Sequence, residues 1–245
     1  MKAVILAGGL GTRLHPLTLA TNKHLLPVFD KPVILYAVEK LVNAGIDKIM
    51  LVTGPQHVDS FVRLLGSGHH FVPKTKDAKQ IQIVYGIQNE PNGIAYGLFI
   101  AKEYVGNDPC VLYLGDNIFM DDITPAIEKF SGGATVFLKK VADPHRFGVA
   151  SLDRKGNVVG IEEKPKKPKS DLAVTGLYIY DNTVFDKIKK ITASDRGEFE
   201  ITALNNLYVE ERNLKSSLLK KEWFDIGTVE SLHTASTFMR KKRKK

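Results

Sequence analysis

Lys2-Ala-Val-Ile-Leu-Ala-Gly-Gly-Leu-Gly-Thr-Arg-Leu14 decides the fold. The apolar run over residues 2–7 reads as a parallel strand buried on both faces, because it lacks the polar alternation of a half-exposed strand. The glycines that follow make a turn whose backbone N–H groups are unobstructed by Cβ atoms and can face phosphate oxygens. This is not the dinucleotide fingerprint, since Leu14 stands where the third glycine belongs. Nor is it a P-loop, since no Gly-Lys-Ser/Thr follows. The glycines alone fit a bare structural turn as well as a phosphate cradle. Arg13 favours the cradle, because a guanidinium offers planar, multidentate bonding to a polyphosphate. Lys23 places a second cation close behind it.

Working outward, residues 32–44 carry Val33, Ile34, Ala37, Val38, Leu41 and Val42 at steps of three and four, which predicts a helix ending at Gly45. Strand-like runs at 48–53, 81–85 and 110–114 alternate with helical patterns at 56–65 and 94–104. That alternation predicts a parallel sheet covered by helices on both faces. Ligands of such sheets sit at the carboxyl ends of the strands. The turn after Ala7, the segment from Gln88 to Gly93, and Gly115-Asp116 should therefore converge on one crevice. Beyond residue 130 the pattern changes to strands at 134–140, 148–153, 158–162 and 174–180, joined by tight turns, which predicts a more antiparallel region beside the first. Helices at 184–190 and 200–211, short strands at 215–219 and 223–226, and a final helix from Thr228 complete the reading.

The chain has 245 residues, 43% of them apolar and 25% charged, which is ordinary globular usage and excludes a disordered or collagen-like body. Its one cysteine, Cys110, excludes an intrachain disulfide and a cysteine-based zinc site. No run approaches the roughly 18 apolar residues of a membrane-spanning helix, and the expected setting is the cytoplasm. Net charge is +8, but Arg240-Lys-Lys-Arg-Lys-Lys245 supplies most of it. A terminal run of like charges reads as a solvated tail, with no nucleic acid or membrane as partner. The organisation expected is one domain over 1–239, with a nucleotide-binding lobe at about 1–130, a second lobe at about 131–227, a helix at about 228–239 and a basic tail at 240–245.

Several ordered motifs occur together: the glycine turn, Pro16-Leu-Thr18, Lys23-His-Leu-Leu-Pro27, Asp30-Lys-Pro32, Leu114-Gly-Asp-Asn-Ile-Phe119 and Asp143-Pro-His-Arg-Phe-Gly-Val149. They continue with Glu162-Glu-Lys-Pro165, Ala173-Val-Thr-Gly-Leu-Tyr178, Arg196-Gly-Glu-Phe-Glu-Ile-Thr202 and Trp223-Phe-Asp-Ile-Gly-Thr228. Over nearly its whole length the chain resembles the sugar-1-phosphate nucleotidylyltransferases, and most closely the members that join a thymidylyl group to glucose 1-phosphate. The resemblance implies a Rossmann-like α/β fold, mostly parallel, with a smaller antiparallel sheet region. It implies Mg²⁺ as cofactor, dTTP (or UTP) and a sugar 1-phosphate as substrates, glucose being the default sugar, and a homo-oligomer.

The same resemblance assigns Gly8, Gly9, Gly11, Thr12, Arg13 and Lys23 to the nucleotide phosphates. Gln88 and Gly93 fall to the base, Asp116 and Asp225 to the metal, Gly148, Glu163 and Val174 to the sugar, and Lys164 to the sugar phosphate. Arg13, Lys23 and Lys164 become the catalytic cations, while Arg196 and Glu198 shape the pocket. A glutamine amide at Gln88 complements the acceptor and N3–H of a thymine or uracil edge. The two bases differ by one methyl, about 0.8 kcal/mol of burial, so both remain open. His24 and Tyr96 stand where glutamine is frequent in the longer members, which carry further helices beyond the position of residue 245.

Overall fold

The computed structural model describes residues 1–72 and 79–243. The first half runs β1 (Lys2–Leu6), a short hairpin of β2 (Pro27–Val28) and β3 (Lys31–Pro32), α1 (Val33–Asn43), β4 (Lys48–Thr53), α2 (Val58–Leu65) and β5 (Gln82–Ile87). It continues through α3 (Ile94–Ile100), α4 (Lys102–Val105), β6 (Cys110–Leu114), β7 (Asn117–Phe119) and α5 (Thr124–Glu128). The second half comprises β8 (Ala134–Lys140), β9 (Gly148–Leu152), β10 (Val158–Glu163), β11 (Leu172–Tyr180), α6 (Val184–Ile188) and α7 (Ile201–Glu210). It ends with β12 (Leu214–Leu218), β13 (Trp223–Asp225) and α8 (Val229–Arg243).

The main sheet follows the order β10-β9-β11-β6-β1-β4-β5, with β8 paired to β11 and β12. β6, β1, β4 and β5 are mutually parallel, and β11 runs antiparallel to β6, β8 and β9. The antiparallel region is therefore an extension of the parallel sheet, joined to it through β11. The order reverses at β1, with β4 on one side and β6 on the other. A crevice opens outside the strand ends at such a reversal.

β1 can be apolar throughout because both of its faces are covered. Val4 joins a core with Leu98, Ala101 and Val105 of the α3–α4 layer. Ala3 and Ile5, one residue to either side, join the opposite core with Ile34, Ala37, Val38 and Leu41 of α1. This is the period of two expected of a strand. A third cluster, Val28, Val33, Tyr36, Ile118, Ile226 and Ala235, with Leu232 and Met239 against it, docks α8 onto the β2–β3 hairpin and β13. Among the described residues no helix is long and apolar enough to cross a membrane.

Three details differ from the sequence reading. The helix expected over 94–104 breaks at Ala101, whose N–H bonds back only three residues to Leu98, a tighter turn than an α-helix makes. β7 pairs with β13 in a separate two-stranded sheet that segments only three residues long did not announce. The final helix runs on to Arg243, four residues past the expected end. Its last turn is tied down, because Arg243 pairs with Asp30 and lies over the Phe29 ring, while Ser236 Oγ accepts the Phe29 N–H. Residues 244 and 245 of the expected tail lie outside the described residues.

Leu112 of β6 is fully buried at the centre of the sheet. Leu112→Ala removes a packed side chain from a region that cannot collapse to fill the space. It is expected to lower unfolding free energy by about 2–5 kcal/mol, read by urea denaturation.

Candidate active site

The end of β1 is pinned before the glycine turn begins. The Ala7 N–H donates to Val52 O at 2.7 Å, and the Ala7 carbonyl accepts from Thr53 Oγ1 and Asn22 Nδ2, each at 3.2 Å. From this anchor the turn can pass close to Lys23. A Cβ on Gly9 would stand 3.0 Å from Lys23 Cε, and one on Gly11, where φ is 67°, would stand 3.0 Å from Lys23 Cβ. Glycine at these positions opens the channel along which the lysine stem lies.

The lysine ends on Asp116, which follows β6 across the crevice. Its ammonium pairs with Asp116 Oδ2, while Asn117 Nδ2 donates to Oδ1 at 2.8 Å. Burial is the largest single influence and opposes charge on Asp116, but the neighbouring Lys23 and the hydrogen bonds from Lys23 and Asn117 together hold the carboxyl below its usual range. Asp225, opposite Asn117 in the β7–β13 ladder, is in the reverse position. Burial and then the charge on Asp116 push its carboxyl up, against the smaller influences of Lys23 and Arg13. Its carboxylate makes no hydrogen bond or ion pair among the described residues. Gly227 lets Arg13 approach it, since a Cβ there would meet Arg13 Nη2 at 3.0 Å and Asp225 Oδ2 at 3.3 Å.

Two desolvated carboxylates with one paired ammonium form a site short of positive charge. The donor set is oxygen only, and among the described residues no three His, Cys, Asp or Glu side chains gather as a cage. That suits Mg²⁺, which retains waters and shares substrate phosphates rather than filling a closed protein shell.

Across the cleft, Glu163 at the end of β10 accepts a hydrogen bond from Thr202 Oγ1 at 2.6 Å on Oε2. Its Oε1 lies 3.6 Å from Lys164 Nζ and 3.5 Å from Arg196 Nη2. Gly148 leaves room for this arrangement, a Cβ there falling 3.1 Å from Thr202 Oγ1 and 3.4 Å from Glu163 Oε2. Lys164 holds a positive φ of 42°, uncommon for a side-chain-bearing residue, and its N–H donates to Phe147 O at 3.0 Å. Val174 stands where the β11–β8 register shifts. The neighbouring Gly176 N–H donates to Asn117 Oδ1 at 3.1 Å, which also accepts Trp223 Nε1 at 2.7 Å. Asn117 thus ties the two sides of the cleft together through the carboxylate it holds.

At the far end, the Gln88 N–H donates to Thr53 O at 2.8 Å as the chain leaves β5. Gly93 has a φ of 95°, and a Cβ there would stand 2.7 Å from the Phe199 backbone. The Phe199 N–H donates to Asn92 O at 2.9 Å, and the Ala95 N–H donates to Phe199 O at 3.2 Å.

One cavity of about 340 Å³ is lined by Gly8, Gly9, Lys23, Gln88, Gly93 and Asp116 together with Gly148, Glu163, Lys164, Val174 and Asp225. Glu198 lines it as well, and Arg196 reaches it through its contact with Glu163. Gly11, Thr12 and Arg13 do not line it, although a Cβ on Gly227 would meet both Arg13 and the lining residue Asp225. Asn117, Arg146, Thr202 and Trp223 line it without having been assigned roles from sequence. Each lay inside a quoted motif, but nothing in one sequence says which motif positions face inward.

His24 also lines the cavity and is 2% exposed. Its Nδ1 lies 2.6 Å from Asn22 Oδ1, which also accepts the His24 N–H at 2.9 Å. Because Asn22 Nδ2 donates to Ala7 O, Oδ1 is the acceptor and Nδ1 carries the proton. Burial, and then Lys23, push the imidazole down to about 3, from 6.5 in an unfolded chain. A neutral imidazole therefore contributes stability that is complete above pH 6.5 and is lost as pH falls from there, by up to about 1.4 kcal/mol per unit. His24→Gln is expected to flatten the fall in urea-denaturation stability between pH 7 and 5. Parallel profiles for the two proteins would show that the ring is not held neutral.

The description "Nucleotidyl transferase" matches residues 2–242 of this chain. A glucose-1-phosphate thymidylyltransferase of Neisseria meningitidis serogroup A is 45% identical over 98% of this chain and 82% of its own length. One from Mycolicibacterium smegmatis is 44% identical over the same shares of each chain. A crystal structure from Bacillus anthracis, assigned as a glucose-1-phosphate thymidylyltransferase and holding sucrose, superposes with a TM-score of 0.91 at 46% identity, covering 98% of this chain and 95% of that one. A UDP-glucose pyrophosphorylase bound to UDP-glucose shares the fold, with a TM-score of 0.84 at 24% identity over 98% of both chains. With a match from one end of the described chain to the other, this protein belongs to the nucleotidyl transferase family.

Proposed function

We propose that this enzyme joins dTTP and glucose 1-phosphate to give dTDP-glucose and pyrophosphate. A phosphate oxygen of the sugar 1-phosphate attacks the α-phosphorus of the triphosphate, and the bond from that phosphorus to the bridging α–β oxygen breaks in line. The observation that carries this reading is the convergence of Lys23, Lys164 and the acidic pair on one cleft, in a chain 45% identical to a thymidylyltransferase.

The nucleophile needs no general base. A phosphate monoester loses its second proton near pH 6 and is already largely dianionic at neutral pH. The barrier is the approach of two anions and the charge gathering on the departing pyrophosphate, so cations and positioning supply the catalysis. The glycine turn, Thr12, Arg13 and Lys23 hold the triphosphate. Gln88 meets the base edge at the wall Gly93 completes, Lys164 holds the attacking phosphate, and Glu163 accepts sugar hydroxyls beside Gly148 and Val174. Asp116 and Asp225 would hold Mg²⁺, which when bound neutralises the polyphosphate. In this reading the nucleotide occupies the lobe at about 1–130 and the sugar the lobe at about 131–227. A homo-oligomer in the cytoplasm accords with the biosynthetic character of the relatives.

Incubation with dTTP, glucose 1-phosphate and Mg²⁺ is expected to release pyrophosphate, with kcat/KM for dTTP above that for UTP. Higher kcat/KM with UTP would move the assignment to a uridylyltransferase, and no turnover across triphosphates and sugar phosphates would overturn it.

Asp116→Asn and Asp225→Asn are each expected to lower kcat by about 10²–10³ with the melting temperature retained. Glu163→Gln is expected to raise KM for the sugar phosphate by about tenfold, as loss of a charged hydrogen bond does, and to leave KM for dTTP unchanged.

A further inference from the structure

Lys23 serves two places in the cleft. Its stem runs along the glycine turn, close enough that a Cβ on Gly9 would stand 3.2 Å from its Nζ. The ammonium, however, is committed to Asp116 Oδ2, with the two side chains only 16% and 12% exposed. The other oxygen of Asp116 accepts Asn117 Nδ2. Both oxygens of Asp116 are thus occupied, while Asp225 next to it has no partner among the described residues. Asn117 is itself fixed by Gly176 and Trp223, so the carboxylate cannot simply rotate to offer a fresh oxygen.

We propose that in the nucleotide-free protein Lys23 is the resident counter-cation of Asp116, and that a divalent ion gains the Asp116–Asp225 pair only when a triphosphate draws the ammonium away. This rests on the reading of that pair as the Mg²⁺ ligands and goes beyond it by setting the order of loading. An ammonium and a divalent cation drawn to one carboxylate oxygen in a poorly solvated cleft repel each other, so each weakens the binding of the other. A triphosphate bound on the glycine turn offers the ammonium several anionic oxygens a short swing from its present place. Its departure frees Asp116 as the negative charge that the ion must neutralise arrives. The coupling is reciprocal: whatever the nucleotide adds to metal affinity, the metal adds to nucleotide affinity.

Mn²⁺ is the probe, titrated into nucleotide-free protein and followed by the paramagnetic resonance signal of the free ion. Wild type is expected to bind weakly. Lys23→Met keeps the length of the stem and removes its charge, and is expected to bind Mn²⁺ about tenfold tighter or more, within the ordinary range of coupling between sites. Lys23→Arg, which keeps the charge, is expected to stay weak, and Asp225→Asn added to Lys23→Met is expected to abolish the gain. Binding by folded Lys23→Met no tighter than wild type overturns the proposal. A second readout needs no variant: wild-type crystals soaked in Mn²⁺ alone should show no anomalous peak between Asp116 and Asp225. A peak there with Lys23 still on Asp116 overturns the proposal equally. No substrate is present in either experiment, so a wrong choice of nucleotide or sugar leaves both outcomes unaffected.

Discussion

Two carboxylates placed side by side in a poorly solvated cleft repel each other and lose hydration, and a protein keeps both ionised only by supplying positive charge. Asp116 is held in this way by the Lys23 ammonium, whereas Asp225 is pushed up by burial and by Asp116 despite Arg13 nearby across Gly227. The demand is left partly unmet, and that deficit suits the site to its reactants. A triphosphate with its metal brings both the anions that occupy the lysines and the cation that the carboxylates lack.

The sheet makes this arrangement possible without long loops. β1 and β6 are adjacent and parallel, so the turn after one and the aspartate after the other emerge at the same edge, a strand spacing apart. β11 carries the framework across to β9 and β8, and its irregular register near Val174 lets the Gly176 N–H face Asn117 rather than a neighbouring strand. One asparagine then fixes the aspartate, the bulge and the Trp223 ring together. The positions of the cleft-lining groups on both sides of the sheet are set by backbone pairing and one buried amide.

Much of this was legible in the sequence for identifiable reasons. The apolar run at 2–7, ending in a glycine turn, reads as a strand buried on both faces, and the spacing at 32–44 reads as a helix whose apolar stripe covers one of them. The candidate residues could be placed because each lies in a motif that carries the family resemblance. What stayed hidden depended on contacts far apart in the chain. The pairing of β7 with β13 joins segments about a hundred residues apart and too short to carry a period. The burial of His24 depends on Asn22, whose amide is in turn oriented by the carbonyl of Ala7. The last turn of α8 looked like free charge, because neither Phe29 nor Asp30 announces that a helix more than two hundred residues away will rest on them.

The backbone of Phe199 fills the space that a side chain at Gly93 would take, and it hydrogen-bonds on both sides of that glycine. The wall proposed to face the base is thus braced by the stretch of chain that leads into Glu200 and Thr202. On the proposed assignment of Gly93 to the base and Glu163 to the sugar, the two selectivities are not separable into independent halves. A redesign that widens sugar acceptance by moving the entry to α7 will shift the base wall with it, and the two specificities will have to be tuned together.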